Sequence, residues 1–332
     1  MHDPSNNTQM IFAESELLKA GLRICPRSFS TGTILYGAEG DFKAVIDKFE
    51  DAVSAIKRTA AWGAFSVKSY NQPRREQRQM IIKAAHDLGI EVVPEGGSTL
   101  NYNMTQFIDG HTTEEHDVPV APLYEPELQL MGRWNTGYCP TLIVAYGGIM
   151  GENYWYQHSE VWKNERLSHF VPRVVLDPRS IRRIMEPDSE YHHFAVTKTV
   201  TEVLHRGGNV ELGAHGQLQG LGAHWELWML QEGGMTNHEA LRCATWMGAR
   251  ALGLDGEIGS IQPGLLADII VIDGDVLSDI HQSENVLYTM INGRLYDSKT
   301  LEQLEPVRKP LPKGPNLDGV IGADVNFDCL GD

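Results

Sequence analysis

Strand-like and helix-like segments alternate along this chain, and that alternation constrains its fold more than any other feature. Short apolar runs at STGTIL (30–35), AFSVKSY (64–70), IEVVPE (90–95), TTEEH (112–116), YCPTLIVAY (138–146) and NVELGA (209–214) read as strands. Between them, residues 41–60, 75–88, 125–133 and 190–206 read as helices, with Gly89 as the expected carboxyl cap of the second. Such βαβ units are right-handed and build a parallel sheet. Six strands precede residue 216, two fewer than a closed (β/α)8 barrel takes. Residues 147–187, rich in aromatic residues, Pro and Arg, show no period.

In barrels of this kind the reacting groups gather at the carboxyl ends of the strands. Four ends present suitable side chains: Lys68 in AFSVK, Glu95 in EVVPE, His116 in TTEEH and His215 in ELGAH. Each also has a plainer reading. Lys68 is a solvated side chain or, following the apolar run from Ala64 to Val67, one that points into the barrel mouth; buried lysines are rare unless paired. Glu95 offers oxygen to zinc or manganese, or is a buried carboxylate paired with Arg or Lys. His116 is a metal ligand or a satisfied polar residue, with His111 near the strand's other end as the reserve. His215 accepts a proton near neutral pH or ligates a metal directly, and the sequence leaves both roles open. Tyr70, Arg74 and Arg75 follow the Lys68 strand. The run from Tyr146 to Trp162, including Trp155, suits a substrate wall or a subunit interface.

Composition excludes several functions. The chain has 332 residues and a formal net charge of −16, whereas nucleic-acid binding needs a basic footprint. The four cysteines are widely spaced without a C-x-x-C pair, which argues against a cysteine-held structural zinc. No apolar run reaches membrane-spanning length, and MHDPSNNTQM has neither the basic nor the apolar region of an export signal. The chain as it stands is therefore expected in the cytosol. Neither a G-x-S-x-G elbow nor a G-x-x-x-x-G-K-[ST] loop occurs, which disfavours a serine hydrolase and a nucleotide-binding protein.

The last third carries a family resemblance. NVELGAHG (209–216), the helix around His224-Trp225-Glu226-Leu227, NHEALRCATWMGARALGL (237–254), IGSIQPGLLADIIVID (258–273) and the strands around Met290 to Leu295 follow one another as in the carboxyl-terminal part of the amidohydrolase superfamily. VKSYNQPRR, VPEGG, GAHGQLQGLGAHWELWM and GMTNHEALR resemble its prolidase-like subgroup, whose members often follow a Tricorn-like β-propeller in one longer, exported polypeptide. The resemblance covers residues 2 to about 306. It implies an α/β fold: an amino-terminally truncated (β/α)8 TIM-like barrel over residues 1–255, a small carboxyl-terminal β-sandwich remnant at 256–303 and an extended tail at 304–332. His2-Asp3-Pro4-Ser5 resembles the end of the second barrel strand. The first strand, with its His-x-His ligand pair, is then absent, and no H-x-H occurs in this chain.

The resemblance also implies a divalent metal, zinc first and manganese or iron next, held by Glu95, His116, His215 and Lys68. A lysine placed like Lys68 is often carboxylated and bridges two metals. His215 stands where many relatives have the aspartate that deprotonates a metal-bound water, and Glu95 where histidine is usual. His224 is expected to contact the ligand shell or substrate, and Tyr70 or Arg74 a substrate carbonyl or carboxylate. The expected function is metal-dependent hydrolysis of an amide C–N bond in a small molecule, a dipeptide or cyclic amide, with esters also accepted and His215 and Lys68 catalytic. The rival is a non-catalytic fragment that serves as an interaction module. An open barrel edge favours a homo-oligomer in either case, and no nucleic-acid or membrane partner is expected.

Overall fold

The computed structural model describes residues 1–312, so Cys329 and the expected tail beyond Pro312 lie outside the described residues. The chain divides into two units. One comprises Met1–Glu95, Thr105–Glu114 and the residues from Met290 onward; the other comprises Gly96–Met104 and Glu115–Thr289.

The first unit is built on a parallel four-stranded sheet in the order Lys43–Val45, Ile34–Tyr36, Ser66–Ser69, Glu91–Pro94. Its helices Phe49–Ala61 and Arg75–Leu88 pack against each other and bury one face. Ala52, Ala55 and Ile56 from one helix, and Ile81, Ala84 and Ala85 from the other, form one core with Leu35, Ile46, Val67 and Val92. Burying an isoleucine contributes about 1.5–3 kcal/mol. Arg75–Leu88 ends where expected: Gly89 caps it with φ 66°, a left-handed conformation that costs glycine little. The register pairs Lys68 with Val93 and Ser69 with Pro94, which sets Glu95 one residue beyond the sheet's end. A two-residue parallel pair, His2–Asp3 with Phe29–Ser30, closes the amino-terminal part.

In the second unit Gly137–Cys139 and Asn209–Val210 pair in parallel. The helices His193–His205 and Leu221–Glu232 pack together, and Trp225, Met229 and Leu230 are fully withdrawn from water. No helix among the described residues is long and apolar enough to cross a membrane.

The α/β class holds, with helices between parallel strands. The strand pairing among the described residues makes four separate sheets rather than one closed ring. Four local readings change. Residues 43–45 form a strand, not the start of a helix; the helix begins at Phe49, where the Asp51 carboxylate accepts the Lys48 amide. The run 138–146 is a strand only as far as Cys139 and then turns into a short 3-10 helix, Leu142–Val144. The aperiodic stretch holds helices Gly151–His158, Glu165–Phe170 and Arg173–Arg179. The expected tail begins with a strand, Gln303–Glu305, which pairs antiparallel with Arg294–Asp297.

Candidate active site

The sequence-selected residues fall into two groups, one in each unit. In the first, every residue of Ser66–Ser69 is buried. Lys68, with 2 % of its side chain exposed, places Nζ 2.6 Å from Glu95 Oε2 and donates to the Pro94 carbonyl at 2.8 Å. Lys68 is thus buried rather than solvated, and Glu95 takes its plainer role, a carboxylate paired with a lysine. His2 Nε2 lies 2.8 Å from Ser66 Oγ, and burial, then the Lys68 charge, push the His2 imidazole down to about 4. Tyr70 packs edge-on against Tyr36 at 5.8 Å; burial first and the Glu95 charge second hold its phenol above the usual value. Arg74 is half-exposed and pairs with Asp47 at 3.6 Å and Glu76 at 3.3 Å, as a solvated helix start does. His111 is buried with Nδ1 3.1 Å from the Gln106 carbonyl, and burial pushes it down to about 3.

The second unit brings His116 and His215 together, their ring centroids 5.1 Å apart. His116 directly follows the strand Thr113–Glu115, and His215 lies five residues beyond Asn209–Val210. Both have left-handed backbones, φ 69° and 53°. For a residue with a Cβ this conformation costs roughly 1–2 kcal/mol, and such outliers concentrate at functional sites. Thr141, just past Gly137–Cys139, shares it at φ 49°.

Each imidazole is engaged through Nδ1. His116 Nδ1 donates to the Val144 carbonyl at a long 3.4 Å, and His215 Nδ1 donates to Gln217 Oε1 at 2.8 Å. In the neutral ring, Nε2 is then the basic atom of both. Tyr146 stacks on His116 with centroids 4.6 Å apart.

Two residues that sequence reasoning passed over hold this arrangement. Asp117 Oδ1 accepts the Tyr146 amide at 2.5 Å. Glu226, fully buried, accepts the Leu142 amide at 2.7 Å and the Ile143 amide at 2.9 Å, one on each carboxylate oxygen. Burial pushes Asp117 up to about 7 and Glu226 up to about 8, against the opposing pull of those amides. The available signal was one acid inside the apolar helix run LGAHWELWML.

The other two expected substrate contacts take structural places. His224 Nδ1 lies 3.0 Å from Ser283 Oγ, and burial pushes the ring down to about 4. Trp155 stacks on Trp225 at 6.1 Å and meets Trp228 edge-on at 5.2 Å, inside an aromatic core rather than on a wall.

A catalytic zinc site takes three protein ligands. The two histidines supply donor atoms of the right type, each oriented through its other nitrogen as ligating histidines are. Yet among the described residues no three His, Cys, Asp or Glu side chains gather closely enough to hold a metal ion. Of the four expected ligands, Lys68 pairs with Glu95 in the first unit and His116 meets His215 in the second.

Residues 200–296 match the Amidohydrolase family. A 5-methylthioadenosine/S-adenosylhomocysteine deaminase from Syntrophobacter fumaroxidans is 32% identical over 110 residues, covering 30% of this chain and 25% of that protein. The match thus spans a quarter of the curated relative's length. Among solved structures, a Xaa-Pro dipeptidase with bound methionine aligns over 89% of this chain and 74% of its own, with a TM-score of 0.66 and 20% identity. The A. niger ochratoxinase aligns over 89% and 71%, with a TM-score of 0.62 and 16% identity. At these identities the structural likeness is one of fold. The resemblance read from the sequence is met on both counts: an amidohydrolase-family segment, on a fold shared with prolidase-like amidohydrolases.

Proposed function

We propose that this chain hydrolyses an amide C–N bond in a small substrate, a dipeptide or a cyclic amide, with esters as easier alternatives. The observation that carries this reading is the facing pair His116 and His215, from two strand ends and both with left-handed backbones. The family match over residues 200–296, which contains His215, supports it.

His215 is exposed and its Nε2 is the basic atom, so it accepts a proton from water and returns it to the leaving amine. His116 is buried against Tyr146, with its ring 5.1 Å from that of His215, and its Nε2 serves as the second acceptor. The family's divalent metal is left out of these steps, because two imidazoles fall short of a three-ligand set. The shortage favours a second reading, a non-catalytic interaction module that assembles with further copies.

Dipeptide and cyclic-amide hydrolysis by the purified chain, with elemental analysis before and after chelation, tests both. Turnover that disappears in His116→Ala and His215→Ala supports the hydrolase. Turnover absent from the chain, or intact in both variants, overturns it.

A further inference from the structure

The segment Leu142–Tyr146 is held at both ends by acids remote in sequence. At one end, the Glu226 carboxylate takes the amides of Leu142 and Ile143; at the other, Asp117 takes the amide of Tyr146. Between these anchors lie the two features that meet His116: the Val144 carbonyl at its Nδ1 and the Tyr146 ring on its face. The backbone itself supplies the Val144 amide to the Thr141 carbonyl at 2.9 Å. Thr141 enters the segment in a left-handed conformation, and a single 3-10 turn, Leu142–Val144, makes few bonds of its own. Glu226, Asp117, Leu142 and Ile143 are all fully buried, so an amide left without its acceptor has no water to replace it.

We infer that Glu226 and Asp117 are positioning residues that set the tautomer and direction of His116 by clamping Leu142–Tyr146 from its two ends. Neither touches the reacting atoms. At 3.4 Å the His116–Val144 bond is already long, so a small relaxation of the segment breaks it. The imidazole proton can then move to Nε2, and the basic atom becomes Nδ1.

This inference takes from the proposed function only that His116 belongs to the site; its main test does not need turnover. Long-range 15N–1H spectra of the histidine rings, recorded where His116 is neutral, report which nitrogen carries the proton. In the unaltered chain His116 is expected as the Nδ1–H form. Glu226→Gln keeps one oxygen acceptor but presents an NH2 to the second amide, and Asp117→Asn is the matching change at the other end. In each folded variant the His116 signals should move toward a mixture of both tautomers, while the His215 signals stay in place. If hydrolysis is detected, turnover should fall by about 10–100-fold with little change in KM, as when an outer partner of a site histidine is removed. Should Glu226→Gln fail to fold, Asp117→Asn decides alone. A folded variant whose His116 keeps the Nδ1–H form overturns the inference, whatever the activity. Loss of turnover with an unchanged tautomer overturns it equally, because the acids would then act by another route.

Discussion

The Lys68 ammonium lies 2.6 Å from the Glu95 carboxylate, with side-chain exposures of 2 % and 14 %. The Pro94 carbonyl takes a second proton of the ammonium at 2.8 Å. A buried pair of this kind is a weak source of net stability, because both charges have left water. Its removal by halves is costly, because the remaining charge stays buried without a counterpart.

Glu95→Leu and Lys68→Met should therefore each destabilise the fold by about 3–5 kcal/mol. The double variant Lys68→Met/Glu95→Leu should cost much less than the sum. Urea unfolding of the three variants measures both quantities. Additive losses would mean that the two charges are not coupled.

His215 predicts an inversion of the usual helix-and-strand preference. Its φ of 53° is comfortable for glycine and strained for alanine. His215 is also exposed, so little packing is lost on truncation. His215→Gly should be about 1 kcal/mol more stable than His215→Ala. Both should lack the proton-accepting imidazole, so turnover should fall in both by roughly 10²–10⁴-fold. Thermal unfolding of the two variants separates the backbone effect from the chemical one. Equal melting temperatures would contradict the left-handed assignment.

Trp155 separates a substrate wall from a packed core. It is 9 % exposed, stacked on Trp225 and edge-on to Trp228. Trp155→Ala should cost about 3–5 kcal/mol as a core truncation. Trp155→Phe keeps an aromatic ring and removes an indole N–H that has no hydrogen-bond partner, so it should be tolerated far better. A Trp155→Ala variant of normal stability with a raised KM would restore the wall reading.

The sequence disclosed what rests on local physics. Arg75–Leu88 and its Gly89 cap were legible because helical spacing and a left-handed glycine act within one segment. His116 and His215 were legible as residues beyond strands. The run 138–146 misled because every residue in it except Pro140 is apolar or small enough for a strand. Its course after Cys139 depends on Pro140, which has no N–H for a ladder, and on Glu226, 84 residues from Leu142. The helices of 151–179 span eight, six and seven residues, too short for a 3.6-residue period to declare itself. Asp117 and Glu226 stayed hidden for the same reason as the turn they hold: their partners are distant in sequence.

Buried acids and buried histidines should respond to pH in opposite directions. Glu226 is raised from 4.5 to about 8 by burial, so the folded state binds its proton more tightly than the unfolded chain. Its contribution to stability is whole below 4.5 and is lost as pH rises through about 8. His111 is lowered from 6.5 to about 3, again chiefly by burial. Its contribution is whole above 6.5 and is lost as pH falls toward 3. Hydrogen exchange, corrected for the intrinsic rate, reads these losses segment by segment. From about pH 6 to about pH 9, amides of residues 142–146 should lose protection, and Glu226→Gln should flatten that loss. From about pH 6 to about pH 4, the loss should fall instead on residues 106–113, around His111 and its Gln106 partner. Protection at 142–146 that stays constant across the alkaline range would show that Glu226 is no proton-holding buried acid.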